Sequence, residues 1–447
     1  MLNMAGHPGS FCTVQTASRF LPNSTTLALR LRLEPPTAFK GEAVSVLSDA
    51  RALAGDITDL RHRLHQEPEI GLQLPRTQEK VLEALNGLPY EITLGTDTTS
   101  VTAVLRGTGA GASASRPVVL LRGDMDALPI QERTGLDFSS RIDGAMHACG
   151  HDLHTSMLVG AATLLAHHRD QLAGDVVLMF QPGEEGFDGA GVMIREGVLD
   201  AAGRRADAAY GLHVLSAGAP NGQFLSRSGT LMSASDGLTV TVHGAGGHGS
   251  APHNAQDPVT VIAEMVTALQ VMVTRQFDMF NPVVISVGVL QAGTKRNIIP
   301  ESARLEATVR SYTEESRAKL ARVVPRLLEG IAAAHGLEVS VDYVTEYPPT
   351  VTDEGETARA ERVVGELFGG ERFTRMANPL SGSEDFSRVL QQVPGTFVFL
   401  SALGRETDAA AFNHSPTATF DDDVLADGTA LYTQLALSRV ADLAGLE

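Results

Sequence analysis

Tryptophan is absent from the 447 residues, aromatic residues make up 5%, and only two cysteines occur, Cys12 and Cys149. Two cysteines in such contexts build no disulfide framework, so a reducing, cytoplasmic compartment is expected and Cys149 is free for other chemistry. No apolar run approaches the roughly 18 residues needed to span a bilayer. Positive charge is scarce as well: 35 Lys and Arg stand against 53 Asp and Glu, a formal net charge of -18. A surface of that sign repels phosphate backbones and anionic lipid, so neither nucleic acid nor a membrane is an expected partner. From Met1 to Leu33 acidic residues are missing, and so is the compact apolar stretch of a secretory signal. Residues 1–43 are therefore expected to be a disordered extension or a start read too far upstream, with a transit peptide as the lesser alternative.

What is present is ordinary for a globular protein, with 43% hydrophobic and 20% charged residues. The length exceeds what one ordinary core organises, so two domains are expected. Residues 44–66 carry the apolar spacing of a helix, which Pro68 ends, and a second helix follows from Thr77. Val118–Leu121, Val176–Phe180, Ala208–Leu212 and Phe397–Leu400 are short continuous apolar runs, the pattern of strands buried on both faces. Helical stretches at 153–168 and 189–197 lie among them, which predicts an α/β domain with a mostly parallel sheet. The small-residue segment 108–117 is expected to be a hairpin tip.

Residues 229–346 read differently. Leu238, Val240 and Val242 alternate with polar residues, and an amphipathic helix spans 257–275 with Pro258 in its first turn. Strands at 283–290 and 303–311, a helix over 314–335 and a strand at 337–344 complete a βαββαβ order, the ferredoxin-like arrangement. The Phe397 strand returns afterwards. The expected organisation is a discontinuous catalytic domain (44–228 and 347–447) with an inserted satellite domain (229–346).

Residues suited to chemistry follow the buried strands directly, where open α/β sheets bind ligands. Asp124 and Asp126 follow the Leu121 strand, Glu184 and Glu185 the Phe180 strand, and His213 the Tyr210 strand. Cys149 and His151 fall in the loop before the 153–168 helix, and His414 in the loop after Leu400. Thiolate, carboxylate and imidazole are the usual ligands of transition metals. Cys149, His151, Glu185, His213 and His414 exceed the needs of one open metal and suit two sharing a bridging ligand, for which a thiolate serves. Singly, a cysteine is more often packing and a histidine more often a satisfied structural group. Their coincidence after the strands favours a metal site.

The motifs RHRLHQEPEIG (61–71), RGDMDALP (122–129), HACGHD (147–152), QPGEEG (181–186), GLHV (211–214), GGHGSAPH (246–253), RNIIP (296–300), SGSEDF (381–386) and FNHSP (412–416) occur in that order. With them the chain resembles the peptidase M20 family, in its amidohydrolase branch (subfamily D) of hippurate hydrolases, auxin-conjugate hydrolases and N-acetyl-diaminopimelate deacetylases. The resemblance implies a binuclear metallohydrolase domain, with Cys149 as bridging ligand and His151, Glu185, His213 and His414 completing two coordination shells. It implies two divalent ions, zinc or manganese, with cobalt or nickel as alternatives. Glu184 would be the catalytic acid/base, and Asp126 would orient a ligand from behind. It further implies a homodimer through the satellite domain that carries His248 into the partner's site, with Asn297, and more weakly Arg296, receiving the substrate's carboxylate. Ser381–Glu384 has the spacing of a helix capping box, with Asp385 favouring the helix N-terminus. His62 and His65 are expected to be structural or to support a metal ligand from behind. The implied reaction is hydrolysis of N-acyl amino acids; a dipeptidase or carboxypeptidase, a thiol hydrolase using Cys149, and a non-enzymatic binder remain as alternatives.

Overall fold

The computed structural model describes residues 46–109, 116–404 and 410–446. The extension 1–43 and the tip of the 108–117 segment lie outside the described residues.

Helices α1 (Val46–Ala52), α2 (Ala54–Gln66) and α3 (Pro75–Leu85) lead into strands β1 (Tyr90–Leu94), β2 (Val101–Arg106) and β3 (Val118–Asp124). Helix α4 (His151–His167), β4 (Asp175–Gln181), α5 (Gly189–Arg195) and β5 (Ala208–Leu215) follow, then the short strands β6 (Phe224–Ser226) and β7 (Gly229–Met232). The next stretch runs β8 (Ala234–His243), β9 (Gly247–His248), α6 (Pro258–Gln276), β10 (Val283–Ala292), β11 (Ile298–Ile299), β12 (Ser302–Ser311), α7 (Glu314–Ala334) and β13 (Glu338–Tyr347). The chain closes with β14 (Thr350–Thr352), α8 (Glu354–Phe368), β15 (Phe373–Arg375), α9 (Ser387–Leu390), β16 (Gly395–Ser401) and α10 (Val424–Leu443).

An eight-stranded sheet has the order β1-β2-β4-β3-β5-β16-β6-β15. Its centre, β4-β3-β5-β16, is parallel throughout. The apolar runs explain this placement, because every residue of β3, β4 and β16 is buried. Successive side chains serve opposite faces. Val119, Leu121, Val176, Leu178 and Phe180 join the core under α4 and α10, whereas Val118, Leu120, Val177 and Met179 join a second core with Met193 and Phe386. Helix α4 is apolar almost all round and buried from His151 to Leu165, as a helix enclosed by others must be. Truncating a core residue such as Leu158, fully buried, to alanine would cost about 2–5 kcal/mol.

A four-stranded sheet, β10-β12-β8-β13, is antiparallel at every pairing. Its connection β8-α6-β10-β12-α7-β13 is the βαββαβ order, and α6 and α7 cover one face over a core of Val240, Val242, Met265, Leu269, Leu305 and Leu328. Strands β9 and β11 form a separate small ribbon.

Three local readings change. The helix expected over 44–66 is broken at Leu53, whose N–H is shared between the carbonyls of Asp49 and Ala50. Helix α3 starts at Pro75, which fits the first turn because it has no N–H to satisfy. Helix α4 starts at His151, so this residue opens the helix and does not precede it. Gly150 makes the sharp entry with φ +86°, and a Cβ there would lie 2.3 Å from Val214 Cγ2. Among the described residues, no helix is long and apolar enough to cross a membrane.

Candidate metal centre and active site

The carboxyl ends of β3, β4, β5 and β16 point the same way because these strands are parallel, and the loops beyond them meet. Cys149, buried between Ala148 and the α4 entry, has its Sγ 3.3 Å from His213 Nε2 and 3.2 Å from His414 Nε2. His414 Nε2 also lies 3.1 Å from Glu185 Oε1. Ligand atoms of Cys149, His151 and His213 fall within 4.8 Å of one another, and so do those of Cys149, Glu185 and His414. Cys149 belongs to both groups, which is the placement a bridging ligand requires. His151, Glu184 and Glu185 form a third such group.

Several of these side chains are aimed by a neighbour. His213 Nδ1 donates to the Val214 carbonyl at 2.8 Å, which leaves its Nε2 lone pair facing Cys149. Asp126 accepts from the backbone N–H groups of Glu184 (3.0 Å) and Glu185 (3.1 Å), so one buried carboxylate fixes both acids. Gly183, with φ +72°, allows the turn that delivers them. His151 is 1% exposed, yet neither ring nitrogen has a hydrogen-bond partner; the nearest carboxylate oxygens, on Asp124 and Asp126, are at 3.6 and 3.5 Å. A buried imidazole with both nitrogens unsatisfied, beside a thiol and a carboxylate, is a donor set that fits a divalent cation. His414 has φ +69°, a strained value for a residue with a side chain.

Several further contributors are not among the candidate residues. Asn413 donates to the carbonyls of Cys149 (3.1 Å) and Val214 (3.0 Å) and accepts from Ser216 N–H (2.9 Å), tying three site segments together. His154 lies one turn after His151 on the same face of α4 and could have been found by that spacing. Its Nδ1 meets Asp124 Oδ1 at 2.5 Å, and its Nε2 accepts the Val214 N–H at 2.8 Å. Arg122, fully buried, donates to Asp124 (2.5 Å), Glu384 (2.7 Å), Asp385 (3.0 Å) and Gln181 (2.9 Å).

The capping-box reading of 381–386 is therefore corrected. Helix α9 starts only at Ser387, and no side chain caps it. Glu384 and Asp385 turn inward instead, because the desolvated guanidinium of Arg122 needs anionic partners. His62 and His65 act structurally, His62 on Asp422 at 2.7 Å and His65 on Asp152 at 2.9 Å.

Charge follows from burial. Burial pushes the Glu184 carboxyl well above the usual carboxylate range, and the neighbouring Glu384, Glu185 and Asp385 add to the effect. Burial likewise raises Glu384 to about 8 against the pull of Arg122. For Asp124 burial opposes ionisation, but Arg122, His151 and His154 outweigh it and hold the group well below its ordinary value. Two nearby carboxyl groups are thus driven apart, Glu184 towards greater basicity and Asp124 towards charge.

The satellite candidates are placed elsewhere. His248 is exposed on β9, and its side-chain hydrogen bonds among the described residues stay in its own loop, Nδ1 lying 2.7 Å from Ser250 Oγ. Ile298 of β11 pairs with His248, and the carbonyl of the exposed Asn297 accepts from Gly249 N–H at 2.9 Å. Arg296 is exposed beside them. The described residues form no bond between this ribbon and the Cys149 cluster.

A parallel α/β sheet that gathers a thiol, imidazoles and carboxylates at its strand ends has the build of a metal-dependent hydrolase. The chain belongs to peptidase family M20/M25/M40, which it matches over residues 120–438. It is 36% identical to thermostable carboxypeptidase 1 of Saccharolobus solfataricus over 87% of this chain and 97% of that one. It is 34% identical to the hippurate hydrolase of Campylobacter jejuni, over 88% and 99% respectively. Among solved structures it resembles a dinuclear metal binding peptidase from the M20 family of Bacillus subtilis, with TM-score 0.73 and 31% identity, covering 87% of this chain and 99% of that one.

Proposed function

We propose that this protein is a metal-dependent amidohydrolase that splits N-acyl amino acids into a carboxylate and a free amino acid. The observation that carries the reading is Cys149, shared by two ligand groups beside the buried carboxyl of Glu184. Cys149 would bridge, and His151, Glu185, His213 and His414 would complete the shells of two divalent ions. Cysteine favours zinc, while manganese, cobalt and nickel suit the remaining imidazole and carboxylate donors. When bound, such ions supply Lewis acidity to the amide carbonyl and make water a stronger acid.

The protein's own groups do the rest. Glu184 is not needed as a ligand, so its carboxylate accepts a proton from the attacking water and returns it to the departing nitrogen. Asp126 keeps it in place through both backbone N–H groups. One water is consumed and one amide C–N bond broken, with no covalent intermediate. The hippurate hydrolase relative supports an N-acyl amino acid substrate. The carboxypeptidase relative supports a second reading, cleavage of a C-terminal residue from a peptide, by the same chemistry.

The satellite domain, residues 229–346, is read as the dimerisation element. Its edge strand β10 exposes Val284 and Leu290, an apolar edge that a partner would cover. In that dimer His248 would donate to the developing oxyanion of the partner's substrate, and Asn297 with Arg296 would receive the substrate's carboxylate. A cytoplasmic setting is part of the same reading, supported by the scarcity of cysteine.

The test is Glu184→Gln assayed on N-acetyl, N-benzoyl and indoleacetyl amino acids. Metal content should be unchanged and turnover reduced at least ~100-fold. Near-normal turnover would remove Glu184 from the mechanism, and activity that survives chelation would favour a thiol hydrolase.

A further inference from the structure

The Glu184–Glu185 loop, residues 182–188, is held at its N–H groups by Asp126. Its carbonyl side is held by a residue from outside the eight-stranded sheet. Tyr347, the last residue of β13, donates its hydroxyl to the Glu184 carbonyl at 2.8 Å. The same hydroxyl accepts the Asp188 N–H at 3.1 Å. Tyr347 is 7% exposed, so these bonds are shielded from competing water.

Two consequences follow from peptide planarity. The N–H of Glu184 fixes the plane before this residue, and its carbonyl fixes the plane after it. With Asp126 on one and Tyr347 on the other, both backbone dihedrals of Glu184 are set, and with them the direction of its Cα–Cβ bond. Asp188 is the second point. It has φ +57°, a costly value for a non-glycine residue. Its N–H is taken by Tyr347, and its carboxylate is paired with Arg388 Nε, whose Nη2 donates to the Glu346 carbonyl at 2.7 Å. Neighbours on both sides of the loop exit thus hold a conformation that Asp188 would not choose alone.

We propose that Tyr347 is a positioning residue that aims Glu184, and that it ties the acid/base loop to the end of the four-stranded sheet. This rests on the reading of Glu184 as acid/base. A phenylalanine at 347 keeps the ring but leaves the Asp188 N–H and one lone pair of the Glu184 carbonyl unsatisfied. A loop loosened by less than an ångström can cost up to about 100-fold in rate.

The test compares Tyr347→Phe with the parent as the metal-loaded full chain, using N-benzoylglycine. Backbone amides of 183–188 should exchange with deuterium several-fold faster, while those of α6 and α7 are unchanged. Turnover should fall about 10–100-fold with KM within about twofold and metal content unaltered. In a Glu184→Gln background, Tyr347→Phe should cause no further loss, because the residue acts through Glu184. Unchanged exchange, unchanged turnover, loss of metal, or an equal loss in both backgrounds would each overturn the proposal. If Tyr347→Phe does not fold, Arg388→Gln releases Asp188 at the loss of one bond to the Glu346 carbonyl of β13 and leaves the Tyr347 hydroxyl in place, and unaltered exchange at 183–188 in that variant also overturns it. Failure of the Glu184 reading appears separately, as a Glu184→Gln single variant that retains turnover.

Discussion

Two polar clusters carry the candidate chemistry, and they are held in opposite ways. At the strand ends of the large sheet most groups are buried and many are oriented by a partner: His213 by the Val214 carbonyl, Asp124 by Arg122 and His154, and the Glu184 loop by Asp126. On the β9–β11 ribbon, His248, Arg296 and Asn297 are exposed, and among the described residues the His248 ring bonds only to Ser250. The first cluster is pre-organised by one chain, at the cost of burying charge. The second gains a fixed geometry only when something covers it. Damage to the first should therefore appear within a single chain, whereas damage to the second should depend on the partner and the substrate.

The largest effect is expected at the point where the buried cluster converges. Cys149→Ala removes the atom common to two ligand groups, leaving His213 and His414 without their shared neighbour. Even residues behind a metal's ligands cost about 10–100-fold when lost, so a bridging ligand should cost more. Metal analysis should find the variant depleted and turnover reduced beyond 100-fold. Full metal content with full activity would break the comparison, because Cys149 would then be packing.

The exposed cluster calls for a two-chain experiment. His248→Ala should be metal-replete, dimeric and slower by about 10²–10³-fold, the usual loss for one oxyanion donor. Mixed with Glu184→Gln under subunit exchange, about half of the protein becomes heterodimer. Each heterodimer then has one site with both groups intact, so roughly a quarter of parental activity should return, given two equivalent sites per two-fold dimer. No recovery despite proven exchange would place His248 in its own subunit's chemistry, or in none.

The two clusters also differ in how far they can be read from sequence. The central strands are legible because a strand buried on both faces must be apolar throughout, as in Val176–Phe180. The ferredoxin-like order is legible because alternation and helical spacing switch cleanly between β8 and β13. Strands such as β6, β7, β14 and β15, with three or four residues each, are too short to establish a period. The ends of α4 and α9 are not legible for a different reason, since tertiary partners decide them. Gly150 starts α4 at His151 through its left-handed turn, and Arg122 draws Glu384 and Asp385 inward from 262 and 263 residues away. Nothing local to SGSEDF announces that cation. Asn413 was missed for the same reason, its partners at Cys149 and Val214 being distant in sequence.

The smallest effect is expected at Asn297. Its side-chain amide makes no hydrogen bond among the described residues, and its carbonyl bond to Gly249 survives any side chain. Asn297→Ala should therefore leave thermal stability within about 0.5 kcal/mol of the parent, as exposed substitutions usually do. A hydrogen bond to a charged carboxylate contributes about 1.5–3 kcal/mol, and in a partly wet site the low end, roughly 10-fold in binding, is expected. Such an interaction is made equally in the ground and transition states, so it should appear in KM with kcat little changed. The decisive control is a substrate without the carboxylate. With N-benzoylglycinamide in place of N-benzoylglycine, parent and variant should have the same KM, because the group that Asn297 recognises is gone. If the variant loses as much on the amide as on the acid, Asn297 acts on loop shape and the carboxylate is received by another residue.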